Sequence, residues 1–263
     1  MQTRTDDEVV AQEGEAEKGL VIERRFTTAG ADPFDAFDWI EMSVEIRNPD
    51  GSLAHEIHGV QLPSGFAGVP GKVCAQKYLR KAGVPAALRK VAEDGVPGWL
   101  QRSEPDHEKL QTLAPEDRFV GETDGRELFR RLAGTWTYWG WTHGYFASEA
   151  DARAFYDEMA YLIASQRSAP NSPQWFNTGL NWAYGITGPA QGHHYVDAVT
   201  GELNLSEDAY THPQPHACFI QSVGDSLVGG TESIMGLWNR EALLFKYGSG
   251  TGSNFSQIRG AGE

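Results

Sequence analysis

Four short segments of the chain carry residue types that bind or reduce small molecules. They read NSPQWFN at residues 171–177, PQPHACFI at 213–220, DSL at 225–227 and GSGTGSNFSQIR at 248–259. A thiol such as Cys218 can supply reducing equivalents and close a disulfide with a second thiol. Glycine lets the backbone approach a ligand closely. Each segment by itself is weak evidence of a functional site.

Cys218 lies in the apolar run 217–223, which is bounded by prolines on one side and a glycine on the other. This run predicts a buried strand with Cys218, Ile220 and Ser222 on one face. A cysteine on such a strand is also typical of a small core hydrophobe. The residues alone leave both roles open.

Ser172 precedes Pro173, which holds it extended next to a helix start. Its hydroxyl is therefore free for a phosphate or hydroxyl contact, or for an ordinary helix N-cap. The neighbouring Trp175 and Phe176 are interpreted as core packing rather than as base-stacking groups.

The glycine-rich run after residue 247 matches neither a dinucleotide fingerprint nor a phosphate loop, and it follows a helix rather than a strand. It predicts a helix C-cap with a left-handed Gly248 and a tight loop. Asp225 or Ser226 is expected to cap a helix from about Leu227 to Tyr247. The apolar stripe on this helix is expected to be a core or dimer face: Ile234, Leu237, Trp238, Leu244 and Phe245.

Composition excludes several classes of protein. The 263 residues carry a net charge of −14, which disfavours nucleic-acid binding but not nucleotides held by local donors. Two cysteines, Cys74 and Cys218, are too few for a disulfide-stapled secreted domain. No apolar run approaches the roughly 20 residues of a membrane span, and the acidic start is unlike a signal peptide. The sequence predicts a soluble cytoplasmic protein without nucleic-acid or membrane partners.

Histidines are present near the cysteine strand, at positions 193, 194, 212 and 216. Their spacing to cysteine or carboxylate residues is not that of metal ligands. We therefore predict no metal site, and we expect His216 to make hydrogen bonds within the proline-rich approach to the strand.

The pattern of the first 124 residues predicts small elements. Residues 1–19 are charged and predict a flexible acidic tail. Residues 39–62 alternate around an NPDG turn and predict a β-hairpin. A short helix is expected at 73–81, and surface loops with short helical pieces at 93–122.

Longer helices are predicted further along. Apolar residues recur at helical spacing over 126–141 and 148–167. Ser148 is the expected N-cap of the second helix and Pro170 its end. From residue 171 onward, helix, strand, helix and glycine turn follow one another, which is typical of an α/β fold.

In this order and spacing, the four segments resemble the first half of the catalytic barrel of ribonucleotide reductases. The closest resemblance is to the adenosylcobalamin-dependent class II branch, favoured by the GYF at 144–146 and by the motif at 171–177. The resemblance implies an α/β fold in which residues 125–263 begin a ten-stranded barrel. Residues 20–124 would form a small β-hairpin and helical region that precedes it.

The resemblance also implies roles for single residues. Cys218 would be one of the two cysteines that reduce the ribose, with its partner cysteine outside this chain. Ser172, Ala217, Cys218 and Gly250 would contact the substrate. Asp225, Ser226, Leu227 and Arg259 would bind a deoxynucleotide effector, the aspartate at its sugar hydroxyl and the arginine at its phosphates.

The expected cofactor is adenosylcobalamin, and the expected partners are a ribonucleotide, a deoxynucleotide effector, a thioredoxin-type reductant and a second subunit. No cysteine follows Cys218, so the chain is expected to be the N-terminal part of a ribonucleoside-diphosphate reductase. Alone it would be inactive without the missing C-terminal part. A Cys74–Cys218 disulfide is not expected.

Two alternatives stay open from the sequence. The chain also fits a fragment of the large subunit of a di-metal, class I reductase, or a non-catalytic nucleotide-binding fragment. The sequence does not distinguish a diphosphate from a triphosphate substrate.

Overall fold

The computed structural model describes residues 19–262, so residues 1–18 of the predicted acidic tail lie outside the described residues. The architecture is mixed α/β. The strands are β1 (Trp39–Arg47), β2 (Leu53–Pro63), β3 (Val84–Pro85), β4 (Leu88–Lys90), β5 (Ser103–Pro105), β6 (Phe119–Val120), β7 (His194–Val196), β8 (Leu203–Leu205), β9 (Cys218–Ser222) and β10 (Gly250–Asn254). The α-helices are α1 (Val69–Val73), α2 (His107–Gln111), α3 (Gly125–Thr142), α4 (Glu149–Ala164), α5 (Ser172–Asn177), α6 (Leu180–Tyr184) and α7 (Ile234–Lys246).

Short 3₁₀ helices add Pro33–Ala36, Ser64–Phe66 and Pro115–Asp117, and a π-helical turn covers Cys74–Tyr78. Across residues 19–262, no helix combines the length and apolar character required to cross a membrane.

The largest hydrophobic core lies between the β1–β2 pair and helices α3 and α4. The two strands are antiparallel, and Val44 of β1 and Val60 of β2 are buried between them and the helices. Phe129 of α3 and Ile163 of α4 join the same cluster, as does Trp175 of α5. Burial of Trp175 agrees with its interpretation as a core residue. One core therefore joins residues on both sides of position 125.

Local signals explain where α3 and α4 begin. Asp124 and Glu127 form a capping box at the start of α3. The Ser148 side chain accepts a backbone N–H at the start of α4, as predicted. The second helix ends at Ala164, before the predicted stop at Pro170, and Gln166 then adopts a left-handed φ of 58°.

The helix expected at 73–81 lies earlier in the chain. Helix α1 begins at Val69, with Pro70 in its first turn where the missing N–H is not needed. It widens into the π-helical turn at Cys74–Tyr78 and ends at Leu79, whose backbone is extended. Local periodicity found the helix but not its bounds.

The last described elements form a β9–α7–β10 unit. Strands β9 and β10 are parallel, with Cys218 opposite Gly250 and Ser222 opposite Asn254. The tight loop predicted after Gly248 is therefore a strand, because its backbone pairs with β9. Gly248 itself has the predicted left-handed φ, 83°.

Strand β9 differs from the predicted buried strand. The face bearing Cys218, Ile220 and Ser222 is exposed, and Ile220 is 82% exposed. In residues 19–262, β9 pairs with β10 alone, and the sheets of this part of the chain are two-stranded. The ten-stranded barrel itself is not seen in these residues.

Candidate active site

The N-terminal ends of β9 and β10 place Cys218 next to Gly250. The Gly250 N–H donates to the Ala217 carbonyl at 2.5 Å, and Cys218 is an exposed free thiol. A Cβ on Gly250 would lie 3.4 Å from the Cys218 Sγ. The missing side chain at position 250 therefore leaves the thiol open to an approaching molecule.

A group of hydrogen bonds fixes the approach to these two strand ends. The Gln214 Nε2 donates to the His216 carbonyl and to the Ser249 hydroxyl, both at 2.9 Å. The Ser249 hydroxyl donates in turn to the same carbonyl at 3.0 Å, and Ser249 is only 5% exposed. The backbone of His216 thus makes the hydrogen bonds expected for the proline-rich approach.

Two adjacent charged residues of helix α7 form hydrogen bonds with strands β9 and β10. The Arg240 Nε donates to the Gln221 Oε1 of β9 at 2.8 Å. The Glu241 carboxylate accepts the hydroxyls of Thr251 and Ser253 of β10 at 2.9 and 3.0 Å. The helix therefore fixes the spacing of the strands that carry Cys218 and Gly250.

The four predicted effector residues lie beyond the C-terminal ends of β9 and β10, away from the Cys218 end. The Arg259 Nε donates to the Asp225 carboxylate at 2.5 Å, with the two side chains 61% and 33% exposed. The Ser226 hydroxyl donates to the Val228 carbonyl at 2.5 Å, and Leu227 is exposed. The structure thus brings the predicted arginine and aspartate together.

The helix expected from Leu227 begins later, at Ile234. Ser233 caps it by accepting a backbone N–H, so neither Asp225 nor Ser226 is the cap. Gly229 and Gly230 have φ angles of 122° and 112°, which lie outside the range of φ angles in a helix. These glycines hold the segment after β9 as an open loop.

The apolar stripe predicted on this helix divides between two faces. Leu237 is buried, and Ile234 and Leu244 are half-buried. Trp238 is 67% exposed and Phe245 is 57% exposed. One face packs inward, and the other presents large apolar side chains to solvent.

Ser172 is exposed at the first position of α5, and its hydroxyl lies 3.2 Å from the Tyr78 hydroxyl. Asn171 is the N-cap, so the Ser172 hydroxyl is not needed to cap the helix. A Cβ on Gly248 would lie 3.9 Å from the Phe176 ring. Helix α5 therefore lies beside the loop that leads into β10.

Two of the histidines, His193 and His212, form a group with Tyr195. The His193 Nε2 lies 2.5 Å from the His212 carbonyl oxygen. The His212 ring stacks on the Tyr195 ring, with ring centroids 3.6 Å apart. Burial lowers the pKa of His212. The group borders a cleft of about 800 Å³ next to α7. Among residues 19–262, no cluster of three or more His, Cys, Asp or Glu side chains is arranged to hold a metal ion.

The second cysteine has a different environment. Cys74 is 2% exposed and unpaired. Burial, together with the nearby charge of Glu122, raises the pKa of its thiol to about 12. Cys74 is therefore an inert core thiol, in contrast to the exposed Cys218.

Sequence reasoning missed the residues that position the strand ends, namely Ser249, Arg240 and Glu241. A signal existed for the last two, which are adjacent charges in the middle of a largely apolar helix. Such charges on a packed helix need partners, and β9 and β10 provide them.

Comparisons with known proteins fall on the same parts of the chain. Residues 40–166 match the family described as class II vitamin B12-dependent ribonucleotide reductase, and residues 216–263 match the ribonucleotide reductase barrel domain. Vitamin B12-dependent ribonucleotide reductases of Bradyrhizobium diazoefficiens and Agrobacterium fabrum are 59% and 58% identical to the chain over 244 residues. The chain belongs to the vitamin B12-dependent ribonucleotide reductase family.

These alignments cover 92% of this chain and 19% of each relative, so the chain spans about a fifth of the length of these two reductases. A more distant member of the family, from Streptomyces avermitilis, is 31% identical over 254 residues. The resemblance seen in the sequence is confirmed. The barrel-domain match contains Cys218, Asp225, Gly250 and Arg259, whereas Ser172 lies between the two matched ranges.

Proposed function

We propose that this chain contributes one reducing thiol, part of the substrate site and part of the effector site to a vitamin B12-dependent ribonucleotide reductase. The observation that supports this most is the exposed Cys218 thiol beside a residue without a side chain, Gly250. Family membership supplies the reaction class, since the relatives are named as ribonucleotide reductases.

In the proposed reaction, Cys218 and a second thiol each give one proton and one electron to the ribose. The 2′-hydroxyl leaves as water, a hydrogen takes its place on the 2′-carbon, and the two sulfurs end as a disulfide. Cys74 does not suit the second role, because it is buried in the core. We assign the partner thiol to the rest of a reductase of the relatives' length, and reduction of the disulfide to a thioredoxin-type protein.

Substrate binding is proposed for the groups around the thiol. The Ala217 backbone and Gly250 border Cys218 closely enough for a ribose to contact all three. Ser172 presents an exposed hydroxyl at the start of α5, beside the Tyr78 hydroxyl and suited to a phosphate oxygen of a ribonucleoside di- or triphosphate.

Effector binding is proposed at the opposite ends of the strands. Arg259 and Asp225 already form an ion pair there, and Ser226 and Leu227 lie next to it. A deoxynucleotide would take the arginine with its phosphates and the aspartate with its sugar hydroxyl. Strands β9 and β10 would then join the effector site to the thiol.

Adenosylcobalamin is the coenzyme implied by the family, and it supplies the radical that starts such reductions. The two clefts bordered by Trp139 and Tyr195 have volumes of about 800 Å³ each, within the usual range of small-molecule sites. We assign none of the described residues to the coenzyme.

Subunit pairing and domain division are further parts of the proposal. The exposed face of α7, with Met235, Trp238 and Phe245, suits a helix that pairs two copies of the chain. The division into a region at 20–124 and the start of a ten-stranded barrel at 125–263 is retained, although one hydrophobic core spans position 125.

Replacement of Cys218 by serine tests the function in a complete reductase containing this sequence. We expect Cys218→Ser to abolish deoxynucleotide formation supported by a dithiol reductant, because serine cannot form the disulfide. Cys74→Ala is the matched control and should retain turnover. Wild-type turnover in Cys218→Ser would overturn the assignment.

A further inference from the structure

Arg131 of α3 is a buried arginine that contacts the segments around Ser172. It is 1% exposed, and its Nε donates to the Glu122 Oε1 at 2.7 Å. Its remaining N–H groups donate to the carbonyls of Thr178 at 2.7 Å, Trp175 at 2.8 Å and Tyr78 at 3.2 Å. One guanidinium therefore joins α3 to α5 and to the π-helical turn.

Two of the carbonyls it binds lie at the C-terminal end of helix α5, where a helix leaves its carbonyls without internal partners. A helix of six residues has few internal hydrogen bonds and is marginal by itself. Trp175 lies within its last turn and Thr178 is its C-cap. Arg131 thus provides the C-terminal hydrogen bonds and a favourable positive charge.

The third carbonyl belongs to the residue that contacts Ser172 directly. The Tyr78 ring stacks on Trp175, with ring centroids 5.2 Å apart and an interplanar angle of 18°. The Tyr78 hydroxyl lies 3.2 Å from the Ser172 hydroxyl. Both ends of α5 are therefore held relative to the same arginine.

Glu122 is fixed as firmly as its partner. Its carboxylate is buried and accepts the Tyr184 hydroxyl at 2.7 Å and the Arg80 backbone N–H at 2.7 Å. A buried ion pair is seldom required for stability, because apolar residues of similar volume often serve as well. A pair so completely satisfied by hydrogen bonds points instead to a role in fixing geometry.

We propose that Arg131 and Glu122 are positioning residues of the substrate site, which hold α5 so that the Ser172 hydroxyl meets the substrate. This rests on the proposed function of Ser172. The pair touches no substrate itself and acts through Ser172. The hydrogen bonds of Arg131 require a planar group with several donors in fixed directions, so lysine cannot replace this arginine.

Kinetics of the complete reductase test the proposal, with a ribonucleoside diphosphate and triphosphate assayed in parallel. Arg131→Lys should raise KM about 10-fold, which corresponds to loss of the one hydrogen bond between Ser172 and the substrate. We expect kcat to be nearly unchanged. Tyr184→Phe, which keeps the ion pair and removes one hydroxyl, should raise KM less. Arg24→Lys is the matched control, because Arg24 pairs with buried Asp157 on α4.

A double-mutant cycle with Ser172→Ala separates positioning from general destabilisation. We expect Arg131→Lys to add little to the KM of Ser172→Ala. Additive effects on KM, or an unchanged KM in Arg131→Lys, would overturn the proposal. If Arg131→Lys does not fold, the same cycle is run with Tyr184→Phe. A wild-type enzyme that reduces no ribonucleotide would overturn the proposed function instead.

Discussion

Gly250 lies opposite Cys218 in the parallel β9–β10 pair, and a Cβ on Gly250 would come 3.4 Å from the Cys218 Sγ. That distance is an ordinary van der Waals contact. The φ of Gly250 is also outside the left-handed region. The fold itself therefore tolerates a side chain here, and the need for glycine arises from whatever approaches the thiol.

Gly250→Ala should leave the fold intact and impair reduction. The added methyl would stand between the thiol and the ribose, and a misplacement of about 1 Å can cost roughly 100-fold in rate. We expect an unchanged melting temperature with a fall in kcat/KM of about 10- to 100-fold. Thermal unfolding and steady-state kinetics measure the two quantities.

The control for this prediction is Gly252→Ala, two residues along β10. Its Cβ would meet the Ile220 Cδ1 at 3.0 Å rather than the thiol, and that side-chain end can move. Activity should be retained. Equal losses in the two variants would mean that strand pairing, not access to Cys218, limits the reaction.

Alkylation should distinguish the two cysteines. Cys218 is exposed, whereas Cys74 is buried and its thiol pKa is raised to about 12 by burial. Because the thiolate is the reactive form, iodoacetamide at pH 8 should modify Cys218 rapidly and Cys74 only after unfolding. Mass spectrometry of timed samples checks this. Equal rates for both cysteines would contradict the burial of Cys74 and the exposure of Cys218.

Arg259→Ala should weaken deoxynucleotide binding without altering stability. The exposed pair with Asp225 is worth only about 0–1 kcal/mol to the fold. A lost charge-assisted contact with phosphate costs about 1.5–3 kcal/mol, or roughly 10- to 150-fold in affinity. Equilibrium binding and thermal unfolding measure both effects.

Arg89→Ala is the control for the effector site, since Arg89 and Glu104 form another exposed ion pair, more than 100 residues before Asp225 in the sequence. It should change neither affinity nor melting temperature. Unchanged effector affinity in Arg259→Ala would place the specificity site elsewhere.

Glu158 predicts a pH dependence of stability. Its carboxylate is buried, which opposes ionisation, but hydrogen bonds from Thr27 and the Phe26 N–H lower its pKa below the ordinary 4.5. A lowered folded pKa stabilises the protein above pH 4.5 and loses that contribution as the pH falls through the folded value.

Glu158→Gln should therefore lower the free energy of unfolding at pH 7 by about 1–3 kcal/mol. The difference from wild type should shrink below pH 4.5. Urea unfolding between pH 3.5 and 7, roughly the range set by carboxylate pKa values, measures it. The exposed Glu207→Gln is the control. A difference that persists or grows in acid would exclude this role.

The sequence was most informative where structure is set locally. Helices α3 and α4 follow from periodicity and from the caps at Asp124 and Ser148. Strand β10 reads GTGSN, in which Thr251 is the one residue of a type enriched in strands, and it exists because it pairs with β9. Pairing across more than 30 residues leaves no local signal.

The site shows the same division. The order of the sequence segments that contain Cys218, Asp225, Gly250 and Arg259 was recognisable, and it indicated the family. Their juxtaposition required the β9–α7–β10 unit. The contacts of Arg131 depend on four separate segments of the chain, so no motif indicates them.

If Cys218 is a reducing thiol of the enzyme, it must be oxidised when a ribonucleotide is reduced. A single turnover of the complete reductase, with all external reductant removed, tests it most directly. Deoxynucleotide formed is quantified, free thiols are blocked, and the disulfide-linked peptides are mapped by mass spectrometry. We expect Cys218 to be found in a disulfide in proportion to the deoxynucleotide formed. Deoxynucleotide formed while Cys218 stays a free thiol would contradict it.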